Sequence, residues 1–296
     1  MTRHVSRVRA KLSLHAQRRV LGLLEGEYAA TLAGRGMELN DLREYVRGDD
    51  PKDIDWKASA RRGEPLVKRF VAQRRHTVVL VVSTGRTMAA AATPSESKRD
   101  RAAEVAGLVG WLAVRQGDRV GAVCGAGSDH VVIPPGSGEA HLERCLATAY
   151  DATLPAGPPA DLAALLRQVA DQVRRRAIVL VVADEDETSP EFEAAFRRLS
   201  VQHELLMVTV GDLDPARVPV GAPMSVDVGD RTSLPDWVRG DDELAAELAR
   251  DQEDRLARWR SRLADLGVVH EHLAETDSTL VAVRRLLERT RHARRR

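Results

Sequence analysis

The sequence has few aromatic residues and no long apolar run. Its 296 residues include four Trp, three Tyr and three Phe, so a large core must be packed mainly from Val, Leu and Ala. The hydrophobic share of 43% suffices for such a core and excludes general disorder. No stretch without Asp, Glu, Lys or Arg exceeds ten residues, whereas a membrane-spanning helix needs about 20 apolar residues. We therefore expect one large or two small globular domains and no membrane span.

Cysteine content and net charge bear on the cellular location and on the kind of partner. Cys124 and Cys145 cannot form a disulfide framework, and the N-terminus has no apolar signal segment, which is typical of a cytoplasmic protein. Lys and Arg number 45 against 44 Asp and Glu, and this balance argues against bulk electrostatic binding to nucleic acid. Cys124 closes a predicted strand and is expected to be a buried apolar side chain rather than a nucleophile.

The common catalytic motifs are also absent. There is no G-x-x-x-x-G-K-[ST], no G-x-G-x-x-G after a strand, no G-x-S-x-G, no C-x-x-C and no H-E-x-x-H. His270 and His272 share one face of a predicted strand, but no third ligand is evident, so we expect ordinary packed or surface histidines. The sequence therefore predicts a protein that is not an enzyme and holds no cofactor or metal.

Apolar runs alternate with helical patterns along most of the chain. Residues 77–82 and 177–183 are continuous runs rich in β-branched residues, typical of strands buried on both faces of a parallel sheet. The helix between them is expected to begin at Thr93, with Pro94 in its first turn, and to end at Gly117. This alternation predicts a doubly wound α/β sheet, whose sites lie at the carboxyl ends of the strands. Those ends are residues 83–87, 151–162, 184–187 and 211–214.

Residues 41–70 are unusually charged, with seven acids and eight bases. Such density suggests ion pairs across irregular turns rather than a plain helix. The densest acid cluster consists of Asp49, Asp50, Asp53 and Asp55, whose oxygens suit Mg²⁺ or Ca²⁺. Because bases are interleaved with these acids, we favour a structural set of ion pairs over a metal site.

The segment from Leu42 to Arg61 resembles the signature of domain-of-unknown-function family 58. The residues that carry the resemblance are Arg43, Glu44, Tyr45, Gly48, Asp49, Asp50, Asp53, Ile54, Asp55, Trp56, Ala60 and Arg61. The resemblance implies a von Willebrand A-like Rossmannoid domain over residues 76–296. Residues 1–75 would then form a basic N-terminal segment and a β-rich arm that carries the signature. Most members of that family begin with two transmembrane helices, and this sequence has none.

Domains of this fold often hold Mg²⁺ in a metal-ion-dependent adhesion site, built from Asp-x-Ser-x-Ser, a loop Thr and a later Asp. The matching positions here are Ser83, Gly85, Arg86, Thr87, Ala160 and Asp184. Only Asp184 keeps its carboxylate, and Arg86 adds a positive charge at the mouth, so the resemblance implies a degenerate site that binds no divalent metal. We expect Asp184 to cap a helix or to pair with Arg86, and Arg86 could bind a partner's carboxylate directly.

Members of the family are often encoded beside MoxR-type AAA+ ATPases. The resemblance therefore implies a non-enzymatic interaction module, an adaptor for such an ATPase in protein assembly or maturation. One alternative is a metal-dependent hydrolase that uses the Asp49–Asp55 carboxylates together with Asp184. Another is a peripheral membrane scaffold that uses the basic residues 1–20 and 291–296. A buried Trp56 with a paired Asp55 would make the signature structural, whereas exposed Arg43 and Arg61 would make it a partner surface.

Overall fold

The computed structural model describes residues 3–13, 22–29, 41–46, 54–69, 75–185, 189–214, 227–228, 231–232 and 242–293. Its helices are α1 (Arg3–Ser13), α2 (22–29), α3 (Trp56–Arg62), α4 (Lys98–Arg115), α5 (Glu139–Ala152), α6 (Leu162–Gln172), α7 (Pro190–Ser200), α8 (Asp242–Asp265) and α9 (Thr279–Ala293), with a 3₁₀ turn at Arg86–Ala89. Its strands are β1 (Asp41–Glu44), β2 (Leu66–Arg69), β3 (Thr77–Ser83), β4 (Arg119–Ala126), β5 (Asp129–Gly136), β6 (Ile178–Ala183), β7 (Glu204–Val210) and β8 (Val269–Leu273).

A six-stranded sheet organises the larger part of the chain. Its strand order is β5-β4-β3-β6-β7-β8, and every neighbouring pair is parallel except β4 with β5. Val78 of β3 lies opposite Val120 of β4 and Ile178 of β6. The predicted doubly wound α/β sheet is confirmed. The strand order reverses between β3 and β6, and this is where such sheets open a crevice at their carboxyl ends.

Each face of the sheet carries its own apolar core. Val78, Leu80 and Val82 of β3 pack with helices α1, α2, α4, α5 and α9, whereas Val79 and Val81 pack with α6, α7 and α8. Both faces are covered, which explains the uninterrupted apolar runs in β3 and β6. The free thiols of Cys124 and Cys145 are buried in the first core. Burial raises the pKa of Cys124 to about 12, so its predicted apolar role is confirmed.

The described residues before the sheet contain β structure and helices. β1 and β2 form an antiparallel pair, with Glu44 opposite Leu66. The expectation of irregular turns rather than a helix is wrong for α3, because Asp55 accepts hydrogen bonds from the first-turn amides and Gly63 ends the helix at φ +80°. α1 lies against the domain, where the backbone amides of its first turn donate to Glu143. The proposed boundary at residue 75 stays a prediction.

Helix α4 begins later than its sequence pattern suggests. Ser97, not Thr93, is the N-cap, and Ser97 and Asp100 form a reciprocal capping box. The Thr93 hydroxyl instead accepts hydrogen bonds from the amides of Ser95 and Glu96 and closes a separate turn. The shift places Lys98 in the first turn of α4, next to the carboxyl edge of the sheet.

No helix in the part of the chain that the structure describes is long and apolar enough to cross a bilayer.

Candidate functional site

Four charged side chains converge at the carboxyl edge of the sheet, and we call them the carboxyl-edge cluster. They are Lys98, Asp184, Glu185 and Asp212. Lys98 comes from the first turn of α4, while Asp184 and Glu185 follow β6 and Asp212 follows β7. Parallel strands end at the same edge of a sheet, so residues distant in sequence meet here.

Lys98 is the centre of this cluster. It is fully buried, and its Nζ lies 2.7 Å from Asp184 Oδ1 and 2.6 Å from Asp212 Oδ1. Burial alone lowers the pKa of Lys98, but the charges of Asp184 and Asp212 and their hydrogen bonds raise it above its ordinary value. The ammonium is therefore charged, because two carboxylates compensate for the loss of water around it. Asp184 is nearly buried as well, and its Oδ1 also accepts the Glu185 amide at 2.7 Å.

Glu185 sits in the same cluster without a hydrogen bond to Oε1. Burial is the main reason why its pKa rises to about 7, and the negative charges of Asp212 and Asp184 raise it further against the effect of Lys98. Its Oε1 lies 3.1 Å from Nδ1 of His272, outside hydrogen-bond geometry. Burial thus brings the pKa of this carboxyl group close to neutral pH.

The two histidines of β8 are packed side chains. Thr209 Oγ1 lies 2.9 Å from His270 Nε2 and 3.2 Å from His272 Nδ1. Burial lowers the pKa of His270 to about 3 and that of His272 to about 4, so both rings are neutral at physiological pH. Of the two expected placements, packed or at the surface, the structure shows the packed one. Among the described residues, no three His, Cys, Asp or Glu side chains are grouped so as to hold a metal.

The loop after β3 is closed by backbone contacts. The Thr84 amide donates to Gly125 O, and the Arg86 amide donates to Pro158 O, both at 2.9 Å. A Cβ built on Gly85 would lie 2.6 Å from Ala160 Cβ and 2.7 Å from the Ala160 nitrogen. Gly85 and Ala160 therefore meet, and no larger side chain fits at position 85 unless the backbone moves.

The partner expected for Asp184 is wrong. Asp184 pairs with Lys98, and Arg86 forms no ion pair with any residue in the described ranges. Two other predicted positions lie at the same edge of the sheet. Ser83 is the last residue of β3, and Thr87 lies in the 3₁₀ turn that follows.

Sequence reasoning missed Lys98, the residue that contacts both Asp184 and Asp212. The signal was the Ser97-Lys-Arg-Asp100 capping box, which places Lys98 in a first turn rather than inside a longer helix. Asp212 lies in a turn that had been singled out, but without a role.

The signature segment presents its large side chains to solvent. Asp55 caps α3, and its amide donates to Leu66 O at 2.8 Å. Tyr45 donates its amide to Pro65 O at 2.9 Å, so the ends of β1 and β2 and the start of α3 form one unit. Side chains of this unit are exposed by 69% at Trp56, 60% at Val46 and 37% at Tyr45, and Glu44 and Arg61 are exposed too. We call Tyr45, Val46, Trp56 and Arg61 the signature surface.

The other signature positions are less completely described. Arg43 lies in β1, but its side chain is outside the described part of the structure. Gly48, Asp49, Asp50 and Asp53 lie outside the described residues. The condition for a structural signature, a buried Trp56, is not met, whereas Arg61 is exposed as a partner surface requires.

Comparison with known proteins identifies relatives of this sequence. A family model described as protein of unknown function DUF58 matches residues 41–239. The protein named "Uncharacterized protein Rv1480" of Mycobacterium tuberculosis is 30% identical over 221 residues, which cover 74% of this chain and 67% of the relative. The protein named "Uncharacterized protein Mb1516" of Mycobacterium bovis matches to the same extent.

Solved structures also match this chain, all at low sequence identity. An aerotolerance-related membrane protein from Bacteroides fragilis is 14% identical with a TM-score of 0.46, covering 73% of this chain and 99% of that one. BatB from Bacteroides thetaiotaomicron is 14% identical with a TM-score of 0.43, covering 73% and 98%. A von Willebrand factor type A protein from Catenulispora acidiphila is 12% identical with a TM-score of 0.39, covering 77% and 43%. Likenesses of this size say nothing about activity or partners.

Proposed function

The chain belongs to the protein family of unknown function DUF58, and from this membership we propose that it is a non-enzymatic adaptor for a MoxR-type AAA+ ATPase. The family and the von Willebrand A-like fold suggest a protein-interaction module. The ATPase, its role in protein assembly or maturation, and a cytoplasmic location are further parts of the proposal. The observation that carries it is the exposure of the signature surface.

Trp56 shows why this surface suits a partner. It is 69% exposed, whereas Trp111 and Trp259 are 6% and 5% exposed. Trp, Tyr and Arg are the residue types that contribute most to binding energy in protein interfaces, and Trp56, Tyr45 and Arg61 stand together on one small unit. The Asp55 cap and the strand pairing order that unit internally before a partner binds.

The absence of a phosphate-binding motif in the sequence fits a division of labour with an ATPase. In this arrangement the ATPase hydrolyses the nucleotide, and the adaptor recognises it through the signature surface.

We also propose that the carboxyl edge of the sheet is a degenerate adhesion site. The proposal is supported by Asp184, which follows β6, and by Ser83 at the end of β3 and Thr87 in the 3₁₀ turn that follows it. The contact between Gly85 and Ala160 leaves no room there for a serine side chain. Arg86, without an ion pair among the described residues, is the side chain offered to a partner's carboxylate.

The two alternative functions gain no support from the described residues. Asp55 is occupied as a helix cap rather than offered to a metal, which weakens a hydrolase that uses the signature acids. The described part of the basic N-terminal segment is helix α1, which packs against the domain. Val5 and Val8 are buried in the core, and Arg7 lies 3.2 Å from Glu96. An apolar face that is already buried in the domain is not available to a membrane.

The adaptor proposal is tested by direct binding. The tagged full-length chain is mixed with the MoxR-type ATPase of the same organism and Mg²⁺ with ATP or a non-hydrolysable analogue, and the affinity is measured. We expect binding that Trp56→Ala weakens by about tenfold or more, as loss of an interface tryptophan typically does. Val201→Ala is the matched control, because Val201 is an 88% exposed apolar residue at the end of α7. No measurable ATPase binding, or equal binding by Trp56→Ala, would contradict the proposal.

A further inference from the structure

We propose that the Lys98 ammonium is the resident cation of the carboxyl-edge cluster and occupies the position in which the same carboxylates would otherwise hold a divalent metal ion. The inference deepens the degenerate site proposed above, and it does not require the ATPase. It means that the ends of β6 and β7 are joined by a cation that belongs to the chain and cannot dissociate.

The distances are those of an ammonium site. Nζ of Lys98 lies 2.7 Å from an oxygen that follows β6 and 2.6 Å from an oxygen that follows β7. Charge-assisted N–H···O contacts have about this length, whereas Mg²⁺ would need oxygens at about 2.0–2.1 Å. One cation therefore lies between two carboxylates from neighbouring strands, as a bound metal ion would.

The ammonium is placed by a rigid helix end. Ser97 caps α4, and the Lys98 amide donates to Ala90 O at 2.8 Å, which fixes the first turn against the preceding loop. One turn later the buried Arg101 donates to Ala274 O at 2.7 Å and to Asp277 O, beyond the end of β8. Two buried cations on one helix end thus reach the carboxyl ends of three strands, so the ammonium is a permanent part of the fold.

Burial separates this lysine from an ordinary surface ion pair. Lys98 has no solvent exposure, Asp184 keeps 10% of its side chain exposed and Asp212 keeps 58%. Asp184 and Asp212 each place an oxygen within hydrogen-bond distance of one point, so removing the ammonium leaves two negative charges around a small cavity. Mg²⁺ and Mn²⁺ are commonly bound by one or two carboxylates and several waters, and the opened cavity offers that set.

The experiment compares the full-length wild type with Lys98→Ala, with Asp184→Asn and with Lys98→Ala/Asp184→Asn. The melting temperature is followed by differential scanning fluorimetry with MgCl₂, MnCl₂ or ethylammonium chloride, and bound Mn²⁺ is counted by electron paramagnetic resonance. We expect no response from the wild type. Lys98→Ala should melt at a lower temperature and recover about 3 °C when Mn²⁺ reaches about ten times its Kd. Ethylammonium, which resembles the removed end of the side chain, should restore it as well.

The controls separate the site from general effects of salt. Asp184→Asn in the double variant should abolish the response to both cations. Lys57→Ala removes an exposed lysine of α3 and should behave as the wild type does. If Lys98→Ala is isolated unfolded, Mn²⁺ or ethylammonium should restore the folded signal.

Two results would overturn the proposal. One is Mn²⁺ binding by the wild type that Asp184→Asn removes, because the position would then not be filled by the ammonium. The other is a Lys98→Ala protein, folded or unfolded, that responds to neither cation. No ATPase is present in these measurements, so a failed adaptor proposal would leave their outcome unchanged.

Discussion

The carboxyl-edge cluster and the signature surface use charged and aromatic residues in opposite ways. In the cluster, a lysine without solvent exposure is held by two carboxylates at 2.7 and 2.6 Å. On the signature surface, Trp56 is 69% exposed and Arg61 of the same helix is exposed as well. Both regions are densely charged in sequence, with 15 charged residues among residues 41–70 and six among residues 96–104. Among the described residues, the ion pair with the least side-chain exposure joins the first turn of α4 to the end of β6.

The difference shows that burial, rather than local charge density, decides where electrostatics holds a fold together. Breaking a buried pair leaves a desolvated charge without compensation, which is strongly destabilising, whereas exposed charges are solvated and screened. The cluster is therefore expected to matter for stability and the signature surface for association.

Asp184→Asn should have the largest effect on stability. The asparagine can still accept the Glu185 amide, but Lys98 is left buried with only the half-exposed Asp212. We expect a loss of about 3–5 kcal/mol in the free energy of unfolding at pH 7, measured by urea denaturation. Asp212→Asn is the comparison, and it should cost clearly less because water already screens Asp212. Equal losses in the two variants would show that burial does not set the strength of this pair.

Glu185→Gln should have the next largest effect, and it should depend on pH. The pKa of Glu185 in the folded protein, about 7, lies above its ordinary value of 4.5. Its contribution to stability is therefore full below pH 4.5 and is lost as the pH rises through 7. Glutamine cannot ionise, so the variant should exceed the wild type by on the order of 3 kcal/mol at pH 9 and by little at pH 4.

The measurement is a series of urea denaturations from pH 4 to pH 9. His270 and His272 have pKa values lowered to about 3 and about 4, so their contribution to stability is present above pH 6.5 and is lost as the pH falls toward those values. That loss is common to both proteins and largely cancels in their difference. A difference that stays constant across the series would mean that Glu185 does not ionise with the expected penalty.

Much of the sheet and its helices could be predicted because their signals are local. β3 and β6 are continuous apolar runs, and a strand buried on both faces needs nothing more to be recognised. The alternation of strands and helices then placed residues 83–87, 184–187 and 211–214 at one edge of the sheet. The ion pair at that edge, by contrast, joins residues that are distant in sequence. Lys98 and Asp184 are 86 positions apart, and the Thr93-Pro94 pattern placed the start of α4 one turn too early.

The exposure of the signature could not be predicted for a related reason. Nothing in the order of residues 41–61 shows which side of α3 and of the β1–β2 pair is covered, since this depends on how the unit docks. A tryptophan within a charged segment fits a buried anchor and an exposed contact equally well. The structure distinguishes them through the accessibility of Trp56, since Trp111 and Trp259 are buried in the core.

Trp56→Ala should have the smallest effect on stability, and this sharpens the comparison most. An indole that is 69% exposed loses little contact on truncation, so the free energy of unfolding should change by less than about 0.5 kcal/mol. Val201→Ala, a truncation at another exposed apolar position, gives the size of change expected at the surface. Trp259→Ala removes a side chain that is only 5% exposed and should cost about 3–5 kcal/mol. If Trp56→Ala were as costly as Trp259→Ala, Trp56 would be a structural anchor and the signature would belong to the fold rather than to a partner. If instead Trp56→Ala keeps its stability and loses the ATPase, association and stability are divided between the two regions.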